Sequence, residues 1–190
     1  MSGAERPPVI AIVGKKNSGK TSLVVALAAE LRARGLRVAS VKHAHHAFEV
    51  DREGSDSWRH FNEGGVEAVL LVAAGKMALV SRLAEEPRDP EELIDRFFAG
   101  QGLDLVLVEG YKHGGLPKVE IHRAGIHPES IYASSDAVAA ALFLAVVTDD
   151  PALVTSCPTI SLDPEGPNGS HVRAIADLLL DLYPKQGDAH

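Results

Sequence analysis

Near its amino end the chain reads Val9-Ile10-Ala11-Ile12-Val13-Gly14-Lys15-Lys16-Asn17-Ser18-Gly19-Lys20-Thr21, and this segment sets the fold. Its first five residues are apolar and mostly β-branched, which is typical of a strand buried on both faces of a parallel sheet. The next residues follow the spacing G-x-x-x-x-G-K-[ST]. From Thr21 to Arg34 apolar residues recur at the helical period, and Gly35 ends the helix. Strand, glycine-rich loop and helix in this order predict a loop that closes around a polyphosphate.

The chemistry of this loop, a P-loop, explains its residues. Glycines let the backbone curl so that successive N–H groups point at phosphate oxygens, and the positive end of the helix adds to them. Lys20 supplies a full charge to the β- and γ-phosphates and is a candidate catalytic residue, and the Thr21 hydroxyl is a candidate Mg²⁺ ligand. The predicted nucleotide-binding residues here are Gly14, Lys15, Asn17, Ser18, Gly19, Lys20, Thr21 and Ser22.

Two interpretations are open for Lys15, which follows the first glycine of the loop. In one branch of P-loop proteins a lysine at this position reaches a nucleotide across a dimer interface, and the similarity suggests that role. A solvated surface lysine fits the sequence equally well. The neighbouring Lys16 is expected to be exposed.

A carboxylate is expected near the γ-phosphate, because ligands of parallel sheets bind outside the carboxyl ends of the strands. The run Leu105-Val106-Leu107-Val108-Glu109-Gly110 carries an apolar strand through the core and ends on Glu109. Glu109 is therefore a candidate for binding Mg²⁺ or for orienting an attacking water. Asp51, in the loop after the second strand, is the second candidate for both roles. Asp56 stands behind it, with helix capping beside Ser55 as its alternative role.

An aspartate at the end of a late strand is a candidate for reading the base. Val146-Val147-Thr148 leads into Asp149-Asp150-Pro151. A carboxylate there can accept two hydrogen bonds from guanine, which adenine does not offer, so Asp149, or failing it Asp150, would select GTP. A cap or turn before Pro151 is the alternative. No Asn-Lys-x-Asp sequence is present, so guanine specificity is an inference.

Histidines and basic residues gather after two of the strands. Lys42-His43-Ala44-His45-His46 is open to three interpretations, which are contact with the γ-phosphate or a second anionic substrate, plain surface, and a transition-metal site. Lys112 and His113 follow Glu109, and Lys118, His122 and Arg123 come a little later. This basic cluster in an acidic chain predicts an anionic partner or ligand, with a solvated loop as the alternative.

The remaining pattern predicts one domain. Alternating strands and helices over residues 7–185 indicate an α/β P-loop NTPase fold, with three α/β/α layers and a mostly parallel central sheet. Residues 1–6 and 186–190 are expected to be flexible termini. Val66 to Ala73 is predicted as another buried strand. Lys118 to His122 is predicted as a strand near a sheet edge, which would support a homodimer.

Composition narrows the classes of function. The chain has 190 residues and a formal net charge of -7, which argues against nucleic-acid and membrane-surface binding. The single cysteine, Cys157, gives no internal disulfide, and the amino end lacks the apolar core of a signal peptide. No apolar run approaches membrane-spanning length. A cytoplasmic protein is expected.

Several motifs together resemble the molybdopterin-guanine dinucleotide biosynthesis adapter (MobB) family. They are Lys42-His43-Ala44-His45-His46 followed by Asp51, Gly54, Asp56 and Ser57, then Val108-Glu109-Gly110-Tyr111-Lys112, Lys118-Val119-Glu120-Ile121-His122-Arg123, and Thr148-Asp149. The resemblance runs from about Val9 to Tyr183. The histidine-rich and Glu-Gly-Tyr-Lys elements are more specific than the P-loop. Lys15-Lys16 departs from the family, where an aromatic or small residue often stands.

The resemblance implies a dimeric GTP-binding protein with weak intrinsic GTPase activity. It would assist the guanylyltransferase that joins GMP to molybdopterin, itself a possible ligand. On this interpretation the loop binds the phosphates, and Asp51 and Glu109 manage Mg²⁺. The residues that would face the pterin phosphate or the partner are His43, His45, Lys112 and Arg123.

Two rival functions are compatible with the same loop. A small-molecule kinase would need a mobile lid whose arginines close over the phosphates, and the arginine-bearing insert here runs from Arg82 to Arg96. A metal-delivery GTPase would use the histidine cluster as its binding site. Phosphorylation of small acceptors would favour the first rival, and stoichiometric Ni²⁺ or Zn²⁺ binding the second.

Overall fold

The computed structural model describes residues 5–44, 49–84, 90–162 and 169–185. The chain divides into two compact units. The large unit comprises Met1–His43 and Arg88–His190, and the small unit comprises Ala44–Pro87. The predicted single domain over residues 7–185, with its flexible termini, stays a prediction.

The helices and strands follow the sequence pattern closely. In chain order they are β1 (Val9–Val13), α1 (Lys20–Ala33), β2 (Val38–Lys42), α2 (Asp56–Asn62), β3 (Ala68–Ala73), β4 (Lys76–Ser81), α3 (Glu91–Phe98), β5 (Leu105–Glu109), β6 (Lys118–His122), α4 (Ala137–Ala140), β7 (Phe143–Thr148), β8 (Thr159–Ser161) and α5 (Ser170–Leu182). None of the helices that the structure describes is long and apolar enough to cross a membrane.

The large unit is built on a six-stranded sheet in the order β2-β5-β1-β6-β7-β8, and all of its strand pairs are parallel. Glu109, the last residue of β5, lies in register with Ile12 of β1 and Lys42 of β2. The carboxyl ends of these three strands therefore meet at one edge, where the loop after β1 begins.

Alternate residues of each strand enter two apolar layers. On one face of the sheet Ile10, Ile12 and Leu107 pack with α1 and α5. On the other face Ala11 and Val106 pack with α3 and with the segment that contains Ile131 and Tyr132. Full burial of each Ile, Leu or Val side chain in these layers stabilises the fold by about 1.5–3 kcal/mol. This arrangement confirms the predicted three-layer α/β fold with a parallel central sheet.

The position predicted for β6 is wrong. The strand lies between β1 and β7, and all five of its residues are buried. Its alternation of polar and apolar residues suggested a half-exposed edge strand, but the polar side chains Lys118, Glu120 and His122 are buried with internal hydrogen-bond partners. The sheet edges are β2 and β8, so the edge-strand argument for a dimer no longer holds.

The small unit contains α2 and an antiparallel hairpin of β3 and β4. Ser55 caps α2, because its hydroxyl accepts the Trp58 N–H, and Asp56, whose alternative role was capping, is the first residue of the helix. The prediction that β3 is a buried strand is wrong, since Leu70 is 56% exposed and Val72 is 75% exposed. An apolar run fits a two-stranded hairpin as well as a sheet interior, and the sequence alone does not distinguish them.

Ion pairs connect the first described residues of the chain with helix α3. Arg6 forms ion pairs with Glu91 at 2.8 Å and with Asp95 at 3.1 Å. Helix α3 begins after Pro90, while Asp89, whose residue type and place before this proline are typical of a helix cap, lies outside the described residues.

Candidate nucleotide site

The loop between β1 and α1 packs too tightly for a side chain at its first position. A Cβ on Gly14 would lie 2.4 Å from Ser18 Oγ and 2.5 Å from the Ile121 carbonyl oxygen. Gly19, immediately before α1, has a φ of 102°, which L side chains rarely adopt. The two glycines of the motif are thus required by space at one position and by backbone conformation at the other.

Ser18 carries the observation that best tests whether a polar ligand fits this loop. Its hydroxyl is buried and has no hydrogen-bond partner among the described residues. Buried hydroxyls in native proteins are nearly always paired, so an orphaned one requires an explanation. A phosphate oxygen is a suitable acceptor for such a hydroxyl, and the loop therefore fits a polyphosphate.

Lys20 is held inside the loop. Its Nζ donates to the Lys15 carbonyl at 2.8 Å, and the Ser18 N–H donates to the same carbonyl at 3.3 Å. Burial lowers the pKa of Lys20; Glu109 raises it, and Lys112 and Lys42 lower it further. Lys20 therefore stands among other cations, an electrostatic field that favours an anionic ligand.

Thr21 and Glu109 meet as the sequence predicts they should. The Thr21 hydroxyl donates to Glu109 Oε1 at 2.7 Å, and Lys42 Nζ lies 3.7 Å from the same oxygen. A hydroxyl and a carboxylate side by side are the oxygen ligands that Mg²⁺ takes in nucleotide sites, with phosphates and waters completing the shell. The described residues include no group of three or more His, Cys, Asp or Glu that could hold a metal. The Thr21 hydroxyl and the Glu109 carboxylate fit a magnesium ion that phosphates would share.

The candidate nucleotide site lies within the residues that match a known protein family. Residues 9–149 match the family described as Molybdopterin guanine dinucleotide synthesis protein B, abbreviated MobB. The chain belongs to the MobB family. The resemblance seen in the sequence is thereby confirmed.

Two relatives of this MobB chain are molybdopterin-guanine dinucleotide biosynthesis adapter proteins. The one from Haemophilus influenzae is 40% identical over 117 residues, which are 61% of this chain and 64% of the relative. The match thus spans less than two thirds of that relative. The one from Escherichia coli is 31% identical over 192 residues, which are 98% of this chain and 99% of the relative.

Solved structures agree with the fold of the MobB chain. A crystal structure of molybdopterin-guanine biosynthesis protein B is 27% identical with a TM-score of 0.63, and the match covers 92% of this chain and 99% of that one. The structure of Bacillus subtilis MobB is 23% identical with a TM-score of 0.63, over 93% and 98% of the two chains. The second likeness concerns the fold alone.

Asp51, the second predicted carboxylate of the MobB chain, belongs to the small unit. It accepts hydrogen bonds from the Ser57 hydroxyl and, at 2.8 Å, from the Arg52 N–H. The hydroxyls of Ser57 and Ser55 hold the pKa of Asp51 below its ordinary value. Its side chain therefore orders the turn before α2, and a role in binding Mg²⁺ stays a prediction.

The segment after Glu109 places aromatic rings beside the site. The His43 ring lies 4.6 Å from the Tyr111 ring, and the backbone N–H of His43 donates to the backbone carbonyl of Glu109 at 3.2 Å. Tyr111 has a φ of 53°, which is rare for a bulky residue and marks a constrained turn after Gly110. Tyr111 was not predicted as a site residue, although it stands in one of the quoted family motifs. The predicted site residue His45 lies outside the described residues.

Asp149 is already engaged at the end of β7. Its Oδ1 accepts the Ala124 N–H at 2.7 Å, and its Oδ2 lies 3.7 Å from Arg123 Nε. Asp150 caps a turn by accepting the Ala152 N–H at 2.9 Å. The structure thus pairs Arg123 with Asp149, and their predicted ligand contacts stay predictions.

The surface cluster predicted from basic residues is only partly correct. Lys112 and Arg123 are exposed, but Lys118 and His122 are buried. Lys118 Nζ donates to the carbonyls of Lys112 at 3.1 Å and Gly114 at 2.9 Å, and burial lowers its pKa. This lysine therefore supports the loop that carries Lys112 and does not face an anionic partner. Lys118 and His122 stand in an alternating strand pattern, and that pattern does not show whether their side chains are exposed or buried.

Proposed function

We propose that this chain binds GTP with Mg²⁺ at the loop Gly14–Thr21 and acts as an adapter in molybdopterin guanine dinucleotide biosynthesis. The observation that carries the proposal is the hydrogen bond between the Thr21 hydroxyl and Glu109 at the mouth of the loop. It joins the two oxygen ligands expected of a magnesium–nucleotide site in a chain of the MobB family. The orphaned Ser18 hydroxyl supports the same assignment.

Each residue of the loop has a defined task in this proposal. Backbone N–H groups of the loop, together with the Ser18 hydroxyl and Lys20, bind the phosphates. Thr21 and Glu109 hold Mg²⁺, which when bound neutralises charge on the phosphate oxygens. Glu109 also orients water for a weak hydrolysis of GTP, with Asp51 as a second carboxylate. Asn17 and Ser22 complete the predicted contacts.

Guanine selection by Asp149 is a separate part of the proposal. A carboxylate reads guanine by accepting two N–H bonds, and in this structure its Oδ1 already accepts the Ala124 N–H. An oxygen has two lone pairs, so Oδ1 can keep that bond while it accepts another. We expect Asp149→Ala to reduce the preference for GTP over ATP, measured as the ratio of the two affinities.

The partner role follows from the relatives' described function as adapter proteins. We propose that the chain is a cytoplasmic homodimer, with Lys15 reaching toward the partner's nucleotide. It would assist the guanylyltransferase, with molybdopterin as a further ligand near His43, His45, Lys112 and Arg123. The test is a pull-down of purified guanylyltransferase with GTP and molybdopterin present. Absence of a complex under those conditions would count against the adapter role.

Calorimetric titration with GTP and ATP in the presence of Mg²⁺ tests the nucleotide site. We expect GTP to bind more tightly than ATP and Lys20→Ala to weaken GTP binding by roughly 10- to 100-fold, the value of a hydrogen-bonded charge. Lys76→Ala, an exposed lysine of the hairpin, is the charge-matched control and should bind GTP as the wild type does. Equal affinity for GTP and ATP, or full affinity in Lys20→Ala, would contradict the proposal.

The rival functions gain no support from the described residues. Arg82 lies 4.4 Å over the Phe61 ring and donates to the Phe61 and Val66 carbonyls, and Arg96 lies 5.2 Å over Phe97. These arginines are engaged within their own units, which is not typical of a lid arginine. Equilibrium dialysis with Ni²⁺ and Zn²⁺ remains the test of the histidine cluster.

A further inference from the structure

The chain leaves β6 through a short turn that returns to the phosphate loop. After His122 the backbone forms one helical turn, in which the N–H groups of Ile126 and His127 both donate to the Arg123 carbonyl, at 3.0 and 2.9 Å. This turn, residues 123–127, is called the bridge turn below. Its position after a central strand puts it beside the loop that follows the neighbouring β1.

Hydrogen bonds fix the bridge turn at three points. Asp149 Oδ1 accepts the Ala124 N–H at 2.7 Å. His122 Nε2 lies 2.9 Å from the His127 carbonyl, and His127 Nε2 lies 2.7 Å from the Lys16 carbonyl. The turn therefore connects the end of β7 with the middle of the phosphate loop.

The chemistry of these contacts defines the direction of each bond. A carbonyl oxygen only accepts, so Nε2 of both His122 and His127 carries a proton and donates. In the neutral ring His122 Nδ1 accepts from the Thr148 hydroxyl at 2.9 Å, and that hydroxyl accepts the Asp150 N–H at 3.0 Å. His122 is 3% exposed, so the inner part of this series is shielded from water. Every group in the series has a partner of the right kind.

The carbonyl that His127 holds belongs to the peptide group between Lys16 and Asn17. In a trans peptide the C=O and N–H point in opposite directions, so fixing the Lys16 oxygen also fixes the direction of the Asn17 N–H. Asn17 has a φ of 63°, a left-handed conformation that costs free energy and persists only when its surroundings hold it. The bond from His127 is one of the contacts that hold it.

We propose that His127 is a positioning residue of the phosphate site. Its Nε2–H holds the Lys16–Asn17 peptide in the orientation at which the Asn17 N–H faces the phosphates. His122 and Asp149 hold the bridge turn so that His127 keeps this reach. The inference rests on the proposed binding of GTP at the loop, and it assigns a residue outside the loop motif to that site.

Three variants test the proposal by titration calorimetry with GTP, GDP and GMP in the presence of Mg²⁺. His127→Phe keeps an aromatic ring and removes the donor, and we expect it to bind GTP and GDP about tenfold more weakly. GMP lacks the distal phosphates, so its affinity should change by less than about twofold. His127→Gln places an amide N–H where Nε2 stood and should restore GTP affinity to within about threefold. His127→Ala replaces the Phe variant if the larger ring prevents folding.

The exposed histidine of α2 offers a matched control, His60→Phe, which should bind all three nucleotides as the wild type does. Loss confined to GTP and GDP, with rescue by Gln, supports the proposal. Wild-type affinity for GTP in both His127→Phe and His127→Ala would overturn it while the proposed function stands. An equal loss for GTP and GMP, unrescued by Gln, would also overturn it, because that pattern indicates general destabilisation. If the wild-type chain binds no GTP, the proposed function fails first and the inference with it.

Discussion

Burial in an apolar core orders the large unit of this chain, whereas local hydrogen bonds order the small unit. Every residue of β1 in the large unit is buried, and so is every residue of β6. In the small unit none of the described residues is buried, and Val72 and Met77 of the hairpin are each 75% exposed. The phosphate loop therefore follows a strand whose residues are all buried, whereas Asp51 belongs to a unit that is ordered by local hydrogen bonds. Residues with few buried contacts belong to the low-stability end of a protein.

The largest expected effect comes from removing core atoms in each unit. Ile12→Ala deletes part of a fully buried side chain and should lower the free energy of unfolding by about 2–5 kcal/mol. Leu70→Ala in β3 truncates a mostly exposed side chain and should change it by at most about 0.5 kcal/mol. Urea denaturation followed by far-UV circular dichroism measures both. Equal losses would mean that the hairpin is buried in solution and would abolish the contrast.

The same contrast explains which parts of the fold were predictable from sequence. The segment from β1 to Thr21 was predictable because one pattern determines both burial and backbone conformation. The position of β6 in the sheet was not predictable, because Lys118, Glu120 and His122 look like the solvent face of an edge strand. The backbone N–H groups of Ile131 and Tyr132, which donate to Glu120, lie 11 and 12 residues further along the chain. The pattern of the strand itself carries no sign of these hydrogen bonds.

The residues of the candidate site also differ in how well the sequence predicts them. Thr21 was predicted from its motif and Glu109 from its place at the end of a strand, and the two lie within hydrogen-bonding distance. His127 carries no motif of its own, because its role depends on a turn that approaches Lys16 from 111 residues further along the chain. Residues that bind a ligand are thus easier to find in sequence than residues that hold the binding loop.

A second test compares glycines of the two units. Gly14→Ala would force a Cβ against a backbone carbonyl, so we expect it to cost about 1–3 kcal/mol and to abolish tight GTP binding. Gly54 in the small unit has a φ of 80° with no atom within 4 Å of an added Cβ, so Gly54→Ala should cost about 1 kcal/mol through backbone conformation alone. Gly115→Ala, with open space and no positive φ, serves as the control. Thermal melts and GTP titration of the three variants separate steric from conformational costs; normal GTP binding by Gly14→Ala would contradict the tight packing of the loop.

The third test concerns the buried carboxylate of β6. Glu120 accepts the Ile131 N–H at 2.6 Å and the Tyr132 N–H at 2.8 Å, one on each oxygen. Glu120→Gln would turn an amide N–H toward one of these donors, so we expect a loss of about 1–3 kcal/mol. Glu63→Gln, at an exposed pair with Arg59 on the small unit, should cost at most about 0.5 kcal/mol. A fully stable Glu120→Gln variant would show that the carboxylate does not need both acceptors.

Glu120 also gives the stability a pH dependence of known sign. Burial raises the pKa of Glu120 in the folded state, with Ile131, Tyr132, His122 and Lys15 acting in the opposite direction. A raised folded pKa means that the folded chain binds this proton more tightly than the unfolded chain. The contribution of Glu120 is therefore fully present below the ordinary carboxyl pKa and is lost as the pH rises through the folded value. Urea denaturation across that range should show a decline in the wild type that Glu120→Gln lacks.

The smallest effect is expected at Asp51, a half-buried carboxylate of the small unit. Asp51→Asn removes the charged acceptor of the Ser57 hydroxyl and the Arg52 N–H, so amide protons at the start of α2 should exchange faster. The pKa of Asp51 is lowered, so its contribution is present above the ordinary carboxyl pKa and is lost as the pH falls through the folded value. Hydrogen exchange by mass spectrometry should show the change in residues 51–62 and none in β1 or β5. Faster exchange in β1 as well would mean that the two units unfold together. The large and small units would then differ in local stability only by degree.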